Sequence, residues 1–582
     1  MPEPQGVQTQ GASQVLPQAS DDKMRERFHI GVLLTIVLLA YSNSLWNAFT
    51  MDDSRVYIAA NEQVTHPSLR GLFASHVMTG VFRPLTFATF ALDWKLGGRQ
   101  PFVFHVVNLM LHAGVTLLLY MLLRTLLQRL SHGGMVAFAA AALFAAHPIH
   151  TEAVTSISGR AELLAAGFVF AAWILHLRNR EIAALICFVL ALLSKESAVA
   201  FLPLVLLGDY VSGKWKPALR YVQIAGVMLL YVIALWKVGG GHFGPGRYWL
   251  LDNPLAFVPT GTRILNALRV AWKYVALQFY PATLSCDYSF NAIPVYGDWR
   301  HTAPAAITAV AVCGAWIWAV WKRRTEFVLA GGIYFAGFAT TANILMPVGT
   351  IMGERLAYLP SAGFCLLVAF LWSWLYKHRQ SLGLGVLSAV VVLLGLRTVV
   401  RNRDWRNDIT LFSAAARAVP GSAKVHRFLG VQYMREGLYD QAGKQLQTAL
   451  QINPGYPEVM EAYGLLEALK GNYQVAGSML ENAFYMVSPN HPDYDEMAAN
   501  LAAIYMVTNH LDGALDLLNR EIARSPRYSR ALGIRAAVHY KRGELAAASA
   551  DAVAAVHLDP ANRQAQDVLR SLGAQGQTGF PR

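Results

Sequence analysis

The chain has 582 residues, of which 54% are hydrophobic and only 15% are charged. Because soluble globular proteins carry roughly 25% charged residues, this composition excludes an ordinary soluble domain and indicates an integral membrane protein. The formal net charge is +13, but many basic residues lie in short loops between apolar segments, where membrane topology accounts for them. We therefore expect no nucleic-acid partner.

Composition divides the chain into five parts. Residues 1–27, rich in Gln, Pro and Ser at their start, are predicted to be a disordered cytoplasmic N-terminus. Residues 28–400 contain repeated apolar runs and form the predicted membrane domain. Residues 401–421 are predicted to be a linker, residues 422–573 a domain of helical repeats, and residues 574–582 a tail.

The apolar runs predict an all-α membrane domain. A membrane span needs about 20 apolar residues, with roughly 17–25 common. About eleven segments meet or approach this length, and they are 28–47, 103–128, 135–147, 161–178, 181–194, 197–211, 219–238, 304–321, 326–345, 355–376 and 382–400.

Basic clusters orient these spans. Every cluster falls on the N-terminal, cytoplasmic side if residues 262–280 do not cross the membrane. Arg263, Arg269 and Lys273 interrupt that stretch, which predicts an amphipathic helix at the interface or against the bundle. The C-terminal repeats then lie outside the cytoplasm. The same side holds the loops 48–102, 147–160, 239–303 and 345–354.

The segment after Val400 repeats with a period near 34 residues. Small residues such as Gly430 alternate with aromatic positions, and a Pro ends each unit, which is the tetratricopeptide (TPR) pattern. Four units predict an α-solenoid with a concave groove that binds peptides, including Tyr433, Tyr463 and Tyr505. A scaffold without a peptide ligand is the alternative.

Asp52 and Asp53 follow the first apolar run. Charge at the mouth of a membrane span is costly, so a carboxylate pair there indicates a functional site. The alternative is a solvated span end, since adjacent acids are common in loops.

The second outer loop contains His147, His150 and Glu152. Two histidines and a glutamate suggest a metal site, but a Pro breaks the spacing and no HExxH helix is present. We therefore expect no metal or other cofactor, with a divalent metal as the weaker alternative. Glu152 is more attractive as an acid that orients an acceptor.

Three cations near the outer face are suited to bind a phosphate: Arg355, Arg83 and Lys195. Two of these cations lie next to an acid in the sequence, which gives a simpler alternative. Arg355 follows Glu354 and could neutralise it, and Lys195 precedes Glu196 and could form a local ion pair.

Several strings occur in a preserved order from about residue 45 through the repeats. They are FTMDD, FRPLTFATFALDW, PFVFHVVNLMLH, HPIHTEAVTSISGRAELLA, LLSKESAVAFLPL, MPVGTIMGERLAYLPSAGF and RNRDW before the TPR units. Together they resemble the transmembrane and TPR repeat-containing protein O-mannosyltransferases, and they are most similar to bacterial members of that family.

The resemblance implies a GT-C glycosyltransferase fold followed by the TPR solenoid. It implies transfer of a sugar, usually mannose, from a polyprenyl-phosphate carrier to Ser or Thr hydroxyls of exported proteins. The catalytic acid of the family maps to Asp53 or Asp52, with Glu152 as a further acid. Arg355, Arg83, Lys195 and His147 form the expected donor-binding set.

The expected partners are the lipid-linked donor, a protein acceptor bound by the repeats, and the bilayer. The expected location is the inner (plasma) membrane, crossed many times, with the active site and the repeats on the periplasmic side. Two alternatives stay open: a non-catalytic scaffold for envelope proteins, and a GT-C enzyme that acts on a glycan or lipid.

Overall fold

The computed structural model describes residues 15–53, 57–73, 81–238 and 250–574, with side chains left out at residues 15–22 and 52. Every regular element in these ranges is a helix, which confirms the predicted all-α class. The chain divides into two compact units, Met1–Pro420 and Gly421–Arg582.

The described part of the first unit contains fourteen helices of ten or more residues. They are α1 (Val15–Tyr41), α2 (Pro84–Gly97), α3 (Pro101–Leu126), α4 (Gly133–Ala146), α5 (Arg160–Leu177), α6 (Glu181–Ser194), α7 (Phe201–Ser212), α8 (Ala218–Val238), α9 (Thr260–Phe279), α10 (Trp299–Trp321), α11 (Thr325–Ala339), α12 (Tyr358–His378), α13 (Gln380–Asp404) and α14 (Asp408–Ala418).

Each of the eleven predicted spans coincides with one of these helices. Within the described ranges, seven helices are long and apolar enough to cross a membrane, which makes the chain a membrane protein. An eighth span results if Gly133–Ala146 and Pro148–Val154, bent by 52°, count as one. Other apolar helices, such as Glu181–Ser194, are shorter, so the count of eleven spans stays a prediction.

Small residues let the central helices of the bundle approach closely. Helix α4 begins with two glycines and is Ala-rich over its middle, and most of its residues are buried. A Cβ added at Gly208 would lie 2.5 Å from Nε1 of Trp173, so this α5–α7 contact requires glycine. Small residues at helix interfaces are typical of membrane bundles, where close packing replaces the hydrophobic driving force.

The stretch predicted not to cross forms α9, and its two faces differ. Ala267, Val270 and Leu277 are buried on one side. Arg269 instead donates from Nη1 to the Pro294 carbonyl at 2.9 Å. The helix is therefore amphipathic, and its apolar face packs against protein.

Helices cover part of the predicted N-terminal disordered segment and part of the predicted linker. Residues 15–27 belong to α1, so the prediction of disorder is wrong from Val15 onward, and residues 1–14 lie outside the described part. Helix α1 continues from the apolar run back to Val15, because propagation costs little once a helix is nucleated. The predicted linker 401–421 contains the end of α13 and all of α14, because a capping box between Asn407 and Thr410 starts a new helix.

The second unit is a solenoid of paired helices with a final single helix. Its elements are α15 (Ala423–Arg435), α16 (Tyr439–Ile452), α17 (Pro457–Leu469), α18 (Tyr473–Met486), α19 (Tyr494–Val507), α20 (Leu511–Arg524), α21 (Ser529–Lys541), α22 (Leu545–Leu558) and α23 (Arg563–Ala574). The turns within the four pairs place Gly437, Gly471, Asn509 and Gly543 at positive φ, the left-handed region that Gly and Asn favour. Four helix pairs confirm the predicted TPR solenoid.

Substitution of a core residue of the solenoid tests this packing. Leu480 on α18 is 1% exposed. Leu480→Ala is expected to lower the free energy of unfolding by about 2–5 kcal/mol, because a buried cavity replaces the side chain. Leu469→Ala removes the same atoms from a residue that is 56% exposed, and the expected change stays within about 0.5 kcal/mol. Chemical unfolding of the full chain in detergent measures both, and equal effects would contradict the packing.

Candidate functional site

Asp53 lies in a short 3₁₀ turn, Met51–Asp53, just beyond the first span, and its side chain is 1% exposed. Its Oδ1 accepts the Ser158 amide at 2.9 Å, and its Oδ2 accepts the Ile157 amide at 3.3 Å and the Thr50 amide at 3.4 Å. Burial raises the pKa of Asp53 to about 6, although these hydrogen bonds oppose the rise. The carboxylate therefore titrates close to neutrality. The Asp52 side chain lies outside the described part of the chain.

The loop that presents the Ser158 amide is held by buried polar groups. Asn108 on α3 donates from Nδ2 to the carbonyls of Val154 and Ser156 at 3.2 and 3.1 Å, and its Oδ1 accepts from Nε of Arg160 at 2.7 Å. Arg160 is fully buried, and its Nη2 lies 2.6 Å from Oδ2 of Asp93. The position of Asp53 thus depends on a network that crosses several helices.

Three ion pairs form a second feature, which we call the ion-pair cluster. The pairs are Arg83 with Glu196, Lys195 with Glu162, and Arg355 with Glu152. Burial lowers the pKa of the Lys195 ammonium, and Glu162 opposes this shift. Arg83 and Arg355 add to the lowering, so the three predicted donor-binding cations lie close enough to influence one another.

Glu152 anchors Arg355 in two ways. Its Oε2 accepts the Arg355 amide at 2.9 Å, and its Oε1 pairs with the guanidinium. Glu152 is 1% exposed, whereas the Arg355 side chain is 38% exposed. Among the described residues, Glu152 is the hydrogen-bond partner of this guanidinium, which has five N–H donors in all. The arrangement presents a fixed cation that can bind an anion from outside.

Two ion pairs between sequence neighbours were considered from the sequence, Lys195 with Glu196 and Arg355 with Glu354. The structure forms other pairs. Arg83 binds Glu196 through two contacts, Nη2 to Oε1 at 2.7 Å and Nε to Oε2 at 3.2 Å. Lys195 has extended backbone before a 3₁₀ turn, and adjacent side chains there point apart, so it reaches Glu162 instead. The Glu354 carboxylate likewise hydrogen-bonds to other residues, and Arg355 pairs with Glu152 instead.

His147 is fully engaged within the protein. Its Nδ1 accepts the Ile149 amide at 3.2 Å, which leaves Nε2–H to donate to the Gln278 carbonyl at 2.9 Å. The His150 ring contacts the Phe144 carbonyl and the Ser361 hydroxyl. The rings of His147 and His150 are neighbours, with centroids 5.7 Å apart, but their nitrogens and the Glu152 carboxylate bond to other groups. No group of three or more metal-ligating residues occurs in the ranges the structure describes.

The solenoid tyrosines contact the preceding helix pair. The Tyr463 hydroxyl accepts from Nε2 of Gln447 on α16 at 3.1 Å, and the Tyr505 hydroxyl donates to Oε1 of Glu481 on α18 at 2.7 Å. Tyr433 is partly buried. At least two of the three predicted groove residues thus join successive repeats, and peptide binding by this set stays a prediction.

Comparisons with known proteins bear on this site. The family model described as "Protein O-mannosyl-transferase TMTC, DUF1736" matches residues 243–312. A protein O-mannosyl-transferase of Caenorhabditis elegans is 31% identical over 453 residues, covering 73% of this chain and 63% of that protein. The chain is therefore similar to the TMTC proteins over most of its length. The predicted resemblance is therefore confirmed, whereas a bacterial origin stays a prediction.

Other TMTC proteins match over more of the chain. Protein O-mannosyl-transferase TMTC3 of Mus musculus is 27% identical over 586 residues, covering 89% of this chain and 61% of that protein. The chain spans less than two thirds of the length of these curated relatives. The crystal structure of MamA protein matches 30% of this chain with 17% identity and a TM-score of 0.23.

Sequence reasoning missed several residues that shape this site. Glu162, Asp93 and Arg160 were visible as charged residues beside apolar runs, a signal that marks paired or functional groups in membrane proteins. Tyr274 and Tyr288 gave no comparable signal, because tyrosine is common near membrane interfaces.

Proposed function

We propose that this chain is a membrane glycosyltransferase that moves mannose from a polyprenyl-phosphate carrier to Ser or Thr hydroxyls of exported proteins. The names of its relatives support the reaction class. The observation that carries the proposal is the partly exposed Arg355 guanidinium, held by a buried Glu152, beside the loop that binds Asp53. The site and the solenoid are proposed to face the periplasm from the inner membrane.

Asp53 is proposed as the general base. A Ser or Thr hydroxyl is a poor nucleophile, so a carboxylate must take its proton as the hydroxyl oxygen bonds to the anomeric carbon. A carboxylate offers about four acceptor positions, and three amides occupy Asp53. The Ser158 side chain also hydrogen-bonds to Asp53, and the acceptor hydroxyl is proposed to replace this contact. Direct displacement inverts the anomeric centre.

The cations of the ion-pair cluster are proposed to bind the leaving group. As the sugar–oxygen bond breaks, its electron pair goes to the polyprenyl phosphate, whose growing negative charge needs fixed cations. Arg355 is the most exposed of the three. Lys195 forms a buried pair with Glu162, whereas Arg83 pairs with Glu196, which is half exposed. Glu152 orients Arg355 and does not itself meet the acceptor. Because His147 has both ring nitrogens engaged, we leave it out of the donor site.

The bilayer supplies the donor, and the TPR solenoid is proposed to bind the protein acceptor. The donor diffuses in the membrane plane, so the reaction needs no soluble nucleotide. The solenoid unit stacks four helix pairs, an architecture that presents an extended concave surface to peptides.

The test is transfer by the purified full chain in nanodiscs. Polyprenyl-phosphate mannose is supplied with a Ser/Thr-rich peptide, and glycopeptide mass spectrometry measures the product. Hexose on a Ser or Thr side chain supports the proposal. Transfer to a lipid or glycan but to no peptide would favour a GT-C enzyme of another acceptor class, and no transfer to any acceptor would favour a scaffold.

The pH dependence of transfer tests the base. Because burial raises the pKa of Asp53 to about 6, the carboxyl is protonated and inactive below that pH and ionised above it. The rate is expected to fall about tenfold per pH unit below pH 6. The residual activity of Asp53→Asn should lack this acidic limb. A wild-type rate that stays level down to about pH 4.5 would contradict the assignment.

A further inference from the structure

The segment that matches the DUF1736 family model contacts Gly353 and Glu354, the two residues before Arg355. Tyr274, on α9, places its hydroxyl against both main-chain polar groups of Gly353. It donates to the Gly353 carbonyl at 2.9 Å and accepts the Gly353 amide at 2.9 Å. One buried hydroxyl therefore fixes the peptide units two residues before Arg355.

The same segment fixes Glu354. Its Oε1 accepts the Ser285 amide at 2.6 Å and the Tyr288 hydroxyl at 2.7 Å. Glu354 is fully buried, and its Oε2 lies 3.9 Å from Nη2 of the equally buried Arg401. Because the Glu354 side chain is drawn toward residues 285–288, the next side chain along the chain, Arg355, is directed to Glu152.

Asparagine side chains extend this contact to the loop before Gly353. Nδ2 of Asn253 donates to Oδ1 of Asn343 at 2.8 Å and to the Val348 carbonyl at 2.7 Å. Nδ2 of Asn343 donates to the Thr350 and Ile351 carbonyls at 3.1 and 3.2 Å. Residues 253–288 thus bond to the loop 343–354 at several points, all of them within the first unit.

We propose that the DUF1736-matching segment is a positioning element for Arg355, with Tyr274 as its principal positioning residue. Tyr274 touches neither donor nor acceptor. It sets the backbone from which Arg355 reaches both Glu152 and the departing phosphate, so its loss misdirects the guanidinium without removing it. The catalytic part of this inference rests on the proposed function, whereas the structural part does not.

The structural part is tested by hydrogen–deuterium exchange on the full chain in nanodiscs, with no substrate. Tyr274→Phe keeps the ring and its edge contact with Phe338 but removes the hydroxyl. Amides of the peptide 351–357 are expected to exchange about tenfold faster. Tyr334→Phe is the matched control, since it removes a hydroxyl that Gln278 of the same helix α9 contacts, and exchange at 351–357 should not change.

Two exchange results would overturn the proposal. One is unchanged exchange at 351–357 in Tyr274→Phe. The other is equal acceleration along the whole of α12, which would show that the hydroxyl stabilises the bundle in general. Tyr288→Phe provides a second variant at the Glu354 side of the loop, and we expect the same local acceleration.

The catalytic part is tested by a double-mutant cycle on mannose transfer. Tyr274→Phe is expected to lower kcat about tenfold in the wild-type chain but less than twofold in an Arg355→Ala background, because the guanidinium it positions is then gone. Equal losses in both backgrounds would overturn the positioning role. If the wild-type chain transfers no sugar, the proposed function fails, and the exchange experiment still decides the structural part.

Discussion

Asp53→Asn is expected to lower the rate of sugar transfer by about 10²- to 10⁴-fold, the range that a positioned general base contributes. Asparagine has nearly the same shape, and its one oxygen can still accept the Ile157 and Thr50 amides. Its NH₂ group cannot accept a proton and then faces the Ser158 amide. The variant therefore loses the base and one of the three amide hydrogen bonds but keeps the other two. Glycopeptide yield per folded molecule measures the effect.

Asp408→Asn is the matched control for this experiment. Oδ1 of Asp408 accepts the Met51 amide at 2.8 Å, so this side chain supports the same 3₁₀ turn without being the proposed base. We expect a modest loss of stability and transfer within about threefold of wild type. Asp52→Asn distinguishes the two neighbouring acids. A normal rate in Asp53→Asn together with a large loss in Asp52→Asn would move the base to Asp52.

The helices of this chain are predictable because their signals are local. The Ala-rich run of α4 and the repeats of the solenoid each specify a helix from residues that lie within a few turns of one another. The helix that begins inside the predicted linker has a local signal as well, the capping box of Asn407 and Thr410.

The contacts of the site are much less predictable, because each joins distant parts of the chain. Arg355 lies next to Glu354 in sequence, yet its partner Glu152 is 203 residues away. Which of the two acids pairs with Arg355 depends on how the surrounding helices pack. The spacing of residues within a motif does not contain that information. The side chain of Asp53 was predicted as functional from its place at a span mouth, but its amide partners at 157 and 158 were not.

Removing the guanidinium of Arg355 is expected to lower the transfer rate by about 10²- to 10³-fold, as for other groups that stabilise developing negative charge. Arg355→Lys keeps the positive charge but loses the planar fork that spans Glu152 and the phosphate, so it should recover only part of the rate. Glu152→Gln keeps an acceptor for the Arg355 amide but weakens the ion pair, and we expect a smaller loss than in Arg355→Ala. Initial rates at saturating acceptor measure all three variants.

Arg220→Ala controls for the loss of an ion pair as such. Arg220 pairs with Glu181 at 2.5 Å, and both side chains are partly exposed, at 25% and 21%. This pair lies between α6 and α8, at the end of the bundle predicted to face the cytoplasm, and we expect transfer within about twofold of wild type. Wild-type transfer in Arg355→Ala would remove this cation from the donor site. Arg83 would then be the next to substitute, since its partner Glu196 is 50% exposed.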